Sequence, residues 1–469
     1  MASVKRQAEE GIGELARQME GFVPGIWQKN EDGTYSRTQK GSVRYSGDAL
    51  REALKAARKE ATENGVVIPP PPTTEKTGKI STSKEFWQPY RHEHRFLNAW
   101  FDLQELEKKM AFLDRLETPV TRSRYHLLTR TGRTSCSSPN VQQIPRDEEI
   151  RDCILAREGS VLYNVDYSNI ELRTLAQECL DRYGHSQLAE TVRDGRDPHA
   201  HTAAQMLEMD YTQFTMLKKR DPETYETERQ RAKAINFGFP GGLGVETFCK
   251  YARNTFGLEV SQEEARQFRK RFTTEVYPEL GEFLREDGAS LLAQNLGTSP
   301  IDVFNSLAEE FGCGADWLVS LAVRVIRGHK RKASNGERYA PETIEKIRIA
   351  LTKIANPEQR NMLGGNLGSG DLSAVLLRRN AVTRTGRMRA NVTYTAQRNT
   401  PFQGLAADGA KMALFRLVKE GHRVCAFVHD SVKVEVPGDR EQQKEDVDQI
   451  LVEEMGRAVP DVPIEVEEE

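Results

Sequence analysis

VLYNVDYSNIELRTLAQ, residues Val161–Gln177, is a short apolar run that gives way to a helical pattern. Val161–Val165 reads as a buried strand with Asp166 at its end. Ser168 is placed to cap the helix that follows, where Leu172, Leu175, Ala176 and Cys179 form an apolar stripe. An acid projecting from the C-terminal end of a strand suits a hard cation that wants oxygen ligands. Glu171 follows about one helical turn later, within reach of the same place. Taken alone, Asp166 is equally a strand-end acid satisfied by backbone amides.

Two further stretches carry comparable chemistry. In RQRAKAINFGFPGG, Arg229–Gly242, the residues Arg229, Lys233 and Phe237 recur every four positions and share one helix face. Asp221-Pro222 is a capping acid with proline at the first helical position, and Gly238, Pro240, Gly241 and Gly242 end the run. Two cations one turn apart with an aromatic beyond suit a triphosphate and a sugar or base; a solvated basic face is the simpler alternative. In HRVCAFVHDSVKVEVP, His422–Pro437, two strands, Val424–Val428 and Ser431–Val436, flank His429-Asp430 in a hairpin turn. A turn acid is usually turn chemistry, yet a sheet on both sides would hold its carboxylate rigidly.

Working outward, TRTGRTSCSSPNVQQIP (Thr129–Pro145) is a glycine-punctuated polar loop with Arg133, Asn140, Gln142 and Gln143 available to read grooves. RNTPFQGLAADGAKMALFRL (Arg398–Leu417) predicts a helix with Pro401 in its first turn and Asn399 and Gln403 four apart at its start. Upstream, Arg51–Ala61 and His92–Leu116 have helical periodicity, and Pro69–Pro72 forces extended chain between them. Residues 287–380 are helix-rich, with Arg324, Arg327, Lys330, Arg331, Lys332 and Arg338 against Glu337 alone over 324–338.

At 469 residues the chain exceeds what one core usually supports. The net charge of -3 neither favours nor excludes nucleic acid, because a cleft needs only a local basic stripe. The six cysteines contain no CxxC pair, which argues against a zinc site or disulfide framework and fits a reducing compartment. No signal core or membrane-length apolar run is present. A soluble, cytoplasmic protein is the expectation.

Together these pieces resemble the A family of DNA polymerases, the group that includes bacterial DNA polymerase I. TGKxSTS, TGRxSxSxPNxQxIP, DYSxIELR, RxxxKxxNFG, PxQGxAAD and VHD occur in that order over roughly 73–286 and 381–436. The resemblance implies an α+β right-hand fold: an antiparallel palm sheet with helical thumb and fingers. It divides the chain into an N-terminal helical extension (1–72), thumb and start of palm (73–145), and palm with the first aspartate (146–190). Fingers (191–286), a helical basic insertion (287–380) and palm with the second aspartate (381–469) follow.

By the same resemblance, Asp166, Asp430 and the Tyr167 carbonyl hold two Mg²⁺ ions, with Mn²⁺ able to substitute. A primer 3′-hydroxyl attacks the α-phosphorus of a dNTP and pyrophosphate leaves. Arg229 and Lys233 bind the triphosphate, and Lys233 protonates the leaving group. Glu171 blocks a ribose 2′-hydroxyl, and Phe237 packs on the incoming sugar and base and discriminates against dideoxynucleotides. Arg133, Asn140, Gln142, Asn399, Gln403 and His429 contact primer-template DNA.

Three departures stand out: Ser431 where the family has glutamate, Gly241 where it has an aromatic, and the length of 287–380. Gly241 implies a looser templating pocket and lower base selectivity; the cationic run implies a grip on template strand or a partner. Residues 1–72 are too short for a proofreading domain, so neither 3′–5′ exonuclease nor 5′ nuclease activity is expected, a phage-like or mobile-element layout. The alternatives are a relaxed-template polymerase (lesion bypass or RNA copying), a catalytically silent nucleic-acid-binding hand, and a two-metal nuclease.

Overall fold

The computed structural model describes residues 1–38, 42–74, 78–116, 120–144, 148–285, 288–296, 299–326, 341–354, 376–438 and 441–468. The central element is a four-stranded antiparallel sheet in the order β6-β7-β3-β8. Its strands are β3 (Ser160–Tyr167), β6 (Arg423–Val428), β7 (Ser431–Pro437) and β8 (Val466–Glu468). Two short hairpins flank it in sequence: β1 (Arg124–His126) with β2 (Ser135–Ser137), and β4 (Arg379–Val382) with β5 (Met388–Val392).

Register sorts the two faces of the sheet. Tyr163 lies opposite Val434 and Val165 opposite Val432, all buried. That apolar face packs on two helices, α11 (Tyr394–Lys419) and α12 (Glu441–Ala458), through Leu405, Ala413, Ile450 and Met455. Leu162 and Asn164, on the opposite face, meet Glu435 and Lys433. Asp166 therefore points away from the apolar layer, since side chains alternate along a strand.

The helices before the sheet are α1 (Ala2–Phe22), α2 (Gly47–Glu63) and α3 (Arg95–Arg115). One apolar core runs through all three, from Ile12 and Met19 through Leu50 and Leu54 to Trp100 and Leu103. The boundary expected at residue 72 is thus not a break in packing. Alanines at 8, 16, 53, 57 and 61 are buried and leave room for Trp87, Phe96 and Trp100.

The fingers side contains α4 (Ile170–Tyr183), α5 (Pro198–Met206), α6 (Pro222–Gly238) and α7 (Val245–Phe256). α4 carries the expected stripe, with Leu172, Leu175, Ala176 and Cys179 buried. Its N-cap, however, is Asn169 in the left-handed region with no side-chain bond, and Ser168 does not cap it. The Ser168 N–H instead reaches the Glu465 carbonyl at 3.0 Å, an extension of β8 beyond the strand end. α6 begins as expected, Asp221 accepting from the Thr224 N–H at 3.2 Å with Pro222 in the first turn.

Between fingers and returning palm come α8 (Pro300–Phe311), α9 (Ala315–Ile326) and α10 (Pro341–Ile354), with a core of their own. Of the cationic run at 324–338, Arg324 is described and exposed; residues 327–338 lie outside the described part. Among the described residues, no helix is long and apolar enough to cross a membrane.

Candidate active site

The β3–β7 register carries Asp166 and Asp430 to one end of the sheet. The last printed pair is Val165 with Val432. Continuing by two residues sets Asp166 opposite Ser431 and Tyr167 beside Asp430. Both aspartates are half-buried, and the Tyr167 N–H donates to Asp166 Oδ1 at 2.9 Å. The hairpin turn needs a left-handed residue, supplied by exposed His429 at φ +61°. Tyr167 anchors the corner from below, its hydroxyl donating to the Leu451 carbonyl at 3.0 Å. Burial drives that phenol far above its ordinary pKa, helped by the negative charges of Asp430, Glu454 and Asp166.

Ser431 does not replace the carboxylate that the resemblance leads one to expect. It is buried, and its hydroxyl donates to the Val428 carbonyl at 3.2 Å, closing the turn. Among the described residues, no group of three or more His, Cys, Asp or Glu side chains is arranged to hold a metal ion. Two carboxylates and a backbone carbonyl still fit Mg²⁺, which commonly takes one or two carboxylates and fills its shell with phosphate oxygens and water.

Glu171 lies next to this corner. It forms an ion pair with Arg133 and accepts from Gln403 Nε2 at 3.4 Å. Burial pushes its carboxyl upward in pKa; the Arg133 charge opposes this and that of Asp430 reinforces it. Glu171, Arg133 and Gln403, separated by up to 270 residues in sequence, thus form one polar cluster. Tyr251 of α7 is a member that local patterns did not reveal: burial and the Glu171 charge both raise its pKa.

The other loop residues divide. Asn140 Oδ1 accepts from the Gln142 N–H at 3.1 Å. Gln142 uses its amide inside the protein, donating to Thr134 Oγ1 at 2.7 Å and to the Phe427 carbonyl at 3.1 Å. It ties the loop to β6 and has no N–H left over for DNA, contrary to the expectation for it.

α11 also begins earlier than its sequence suggested. Thr393 caps it, and Pro401 lies inside, two turns on. A proline there leaves a carbonyl one turn back without its usual partner. Side chains of the preceding residues compensate: Thr400 Oγ1 donates to the Ala396 carbonyl at 2.6 Å and Asn399 Nδ2 to that of Thr395 at 3.0 Å. Asn399 and Gln403 therefore stand in the helix body, which faces the site.

Asn399 also fills the space at Gly241. Its Nδ2 donates to the Gly241 carbonyl at 3.3 Å, and a Cβ on Gly241 would meet Asn399 Oδ1 at 2.8 Å. The open space expected beside Gly241 is thus occupied by an amide from α11. A second pair of glycines serves a different purpose. Arg387, from the β4–β5 hairpin, threads between Gly132 and Gly404, and a Cβ on either would overlap its guanidinium. Its Nε donates to Asp408 Oδ1 at 2.9 Å, locking hairpin, loop and α11 together.

On α6, Arg229, Lys233 and Phe237 share a face as expected, all partly exposed. Arg229 Nε pairs with Asp197 Oδ2 at 2.6 Å, and among the described residues Lys233 has no ion-pair partner. Beside them is His199, absent from the sequence reading. Its ring lies 5.4 Å from that of Phe237. Asn236 Nδ2 donates to the Pro198 carbonyl at 3.3 Å and contacts His199 Nδ1 at 2.9 Å. Since an amide N–H₂ only donates, Nδ1 is the acceptor and the proton sits on Nε2. That Nε2 is buried and has no protein partner. Burial lowers the His199 pKa to about 4; Asp197 opposes this, and Arg229 and Lys233 reinforce it. A neutral imidazole with an unpaired N–H beside two cations is a donor set for an anion. The available signal was DPHAHTA, a capping acid with proline and histidine opening α5.

Comparison with known proteins accords with this geometry. The sequence model of DNA polymerase family A matches residues 46–297. The thermostable DNA polymerase I of Thermus filiformis is 28% identical over 415 residues, 84% of this chain and 38% of the relative. DNA polymerase I of Aquifex aeolicus is 33% identical over 244 residues, 50% of this chain and 39% of the relative. The chain therefore spans well under half the length of these relatives. The POL domain of Pol1 from M. smegmatis, solved with DNA primer-template and dNTP, aligns over 99% of this chain and 64% of that one. Its TM-score is 0.57 at 20% identity, a likeness of fold. With its hand-like α+β architecture and the match across more than half its length, the chain belongs to DNA polymerase family A.

Proposed function

We propose that this chain is a template-directed DNA polymerase that extends a primer 3′ end with deoxynucleotides. The observation that carries this is the convergence at one end of the sheet: the β3–β7 register that pairs Asp166 with Asp430, and the Glu171–Arg133–Gln403 cluster beside them. A nuclease has no use for the Arg229–Lys233 face, and a silent scaffold has no use for the paired acids.

Asp166, Asp430 and the Tyr167 carbonyl would hold two Mg²⁺ ions, or Mn²⁺ in their place. Such ions, when bound, lower the pKa of the primer hydroxyl and neutralise charge on the phosphoryl oxygens. Arg229, fixed by Asp197, Lys233 and the Nε2–H of His199 would hold the triphosphate. Lys233, the least committed of the three, would give a proton to departing pyrophosphate. Phe237 would support sugar and base. Glu171, pinned by Arg133 and Gln403, would stand where a 2′-hydroxyl projects and so select deoxynucleotides. Asn140, Asn399 and His429 would touch primer-template; Gln142 would act only by holding the loop. The chain would work without proofreading.

Primer extension with Mg²⁺ on DNA and RNA templates tests this. Extension by the wild type and none by Asp430→Ala or Asp166→Ala is the expected result. Equal extension by Asp430→Ala would refute the proposed site, and removal of a mismatched 3′ nucleotide by pure protein would refute the absence of proofreading.

A further inference from the structure

Residues 300–326 make a helix pair that the polymerase reading does not use. α8 ends at Phe311, and its C-cap is Gly312 in the left-handed region at φ +61°. The Gly312 N–H reaches the Glu309 carbonyl at 3.2 Å and the Cys313 N–H that of Ala308 at 3.0 Å, which turns the chain sharply. Gly314 follows, and its carbonyl accepts from the Trp317 and Leu318 N–H groups at 3.1 and 3.3 Å to open α9. Two twelve-residue helices are thus joined by a three-residue, glycine-containing turn.

Packing makes the pair rigid. Phe304 and Ala308 of α8 bury against Leu318, Leu321 and Ala322 of α9, with Leu307, Phe311 and Cys313 packed at the margin. The third helix, α10, contributes Ile347 and Leu351 to the same core. It is held to α8 by the Lys346–Glu310 ion pair, with Lys346 Nζ 5.1 Å above the Phe311 ring. This core is separate from those of thumb and palm.

The outer face of α9 is a stripe of Trp317, Ser320 and Arg324, spaced three and four apart and all exposed. In sequence it continues into Arg327, Lys330, Arg331 and Lys332, which lie outside the described residues. A helix about 10–12 Å across fits a major groove about 12 Å wide. A short helix, a glycine turn and a second helix with a polar outer face, backed by a third, is the arrangement that lays its second helix in that groove. We infer that residues 300–354 are a helix-turn-helix unit that binds duplex DNA through the outer face of α9, away from the polymerase site. The proposal is independent of nucleotide transfer.

The test uses the full chain and a covalently closed DNA duplex about three helical turns long, whose lack of ends denies it to a primer-terminus site. Binding is followed by fluorescence anisotropy as salt rises. The expected result is binding by wild type and a loss on the order of tenfold or more in Ser320→Glu/Arg324→Glu, with a shallower salt dependence. Primer extension on a short primer-template and the melting curve should be unchanged in that variant, since both positions are exposed. The milder Arg324→Ala should weaken binding in the same direction. A closed RNA duplex should bind more weakly, because its deep, narrow major groove excludes a helix. No binding by wild type, equal binding by the double variant, or equal affinity for the RNA duplex would each overturn the proposal. Loss of extension in Asp430→Ala with duplex binding intact would separate the two activities.

Discussion

Gly404→Ala puts local propensity and tertiary packing in direct opposition. Gly404 lies inside α11, where alanine is favoured over glycine by about 1 kcal/mol. Yet the new Cβ would overlap the Arg387 guanidinium and approach Thr383 Cγ2 at 2.7 Å. Arg387 cannot simply swing away: Gly132 closes the other side, and Asp408, mostly buried, holds its Nε. Overpacking costs about 1–3 kcal/mol, and loosening a buried charge pair adds to it, up to about 3 kcal/mol if the pair breaks. With the helix gain subtracted, a net destabilisation of about 2 kcal/mol results, centred on the helix that carries Asn399 and Gln403. A chain of this size does not unfold in one step, so native-state hydrogen exchange of the α11 amides is the appropriate assay. Exchange through openings that break the Arg387–Asp408 contact should accelerate about thirtyfold. In an Arg387→Ala/Thr383→Ser background both obstacles are gone, and Gly404→Ala should become neutral or slow exchange. Unchanged or slower exchange in the otherwise wild-type protein would show that Arg387 is free to move, and the reasoning would fail.

Two further outcomes rest on other contacts. His199→Phe should raise the KM for dNTPs several-fold while His199→Gln, which keeps a donor, should recover much of the loss; equal effects would remove the N–H from the site. Because the folded pKa of His199 is about 4 against an unfolded value of about 6.5, its neutral form stabilises fully above pH 6.5. That contribution is lost as pH falls toward 4, and His199→Phe should flatten the acid limb of stability between those values. Gly241→Tyr was expected on sequence grounds to lower misincorporation, but its side chain must first displace Asn399. Primer binding should weaken in Gly241→Tyr as in Asn399→Ala, with non-additive losses in the double variant; additive losses would show that the two sites are uncoupled.

Much of the site was legible in sequence because its local periods report faces. The four-residue spacing of Arg229, Lys233 and Phe237 put them on one side of α6, and the alternation of Val432, Val434 and Val436 identified the strand after Asp430. The left-handed turn, the strand leading to Asp166 and the Asp221-Pro222 start of α6 follow from backbone sterics and capping, which act over a few residues. Tertiary structure decided what acts across hundreds of residues. Pro401 reads locally as a first-turn proline; it sits mid-helix because Thr400 and Asn399 serve carbonyls of the previous turn. Gly241 reads as a vacancy, and Asn399 from another element fills it. Gly132 and Gly404 read as loop and helix punctuation, but both are small so that Arg387 can pass between them. His199 gained its role only when packing left its Nε2–H unpaired beside Arg229 and Lys233. A sequence window determines which face a side chain occupies; which partner it meets there depends on how distant segments share one volume.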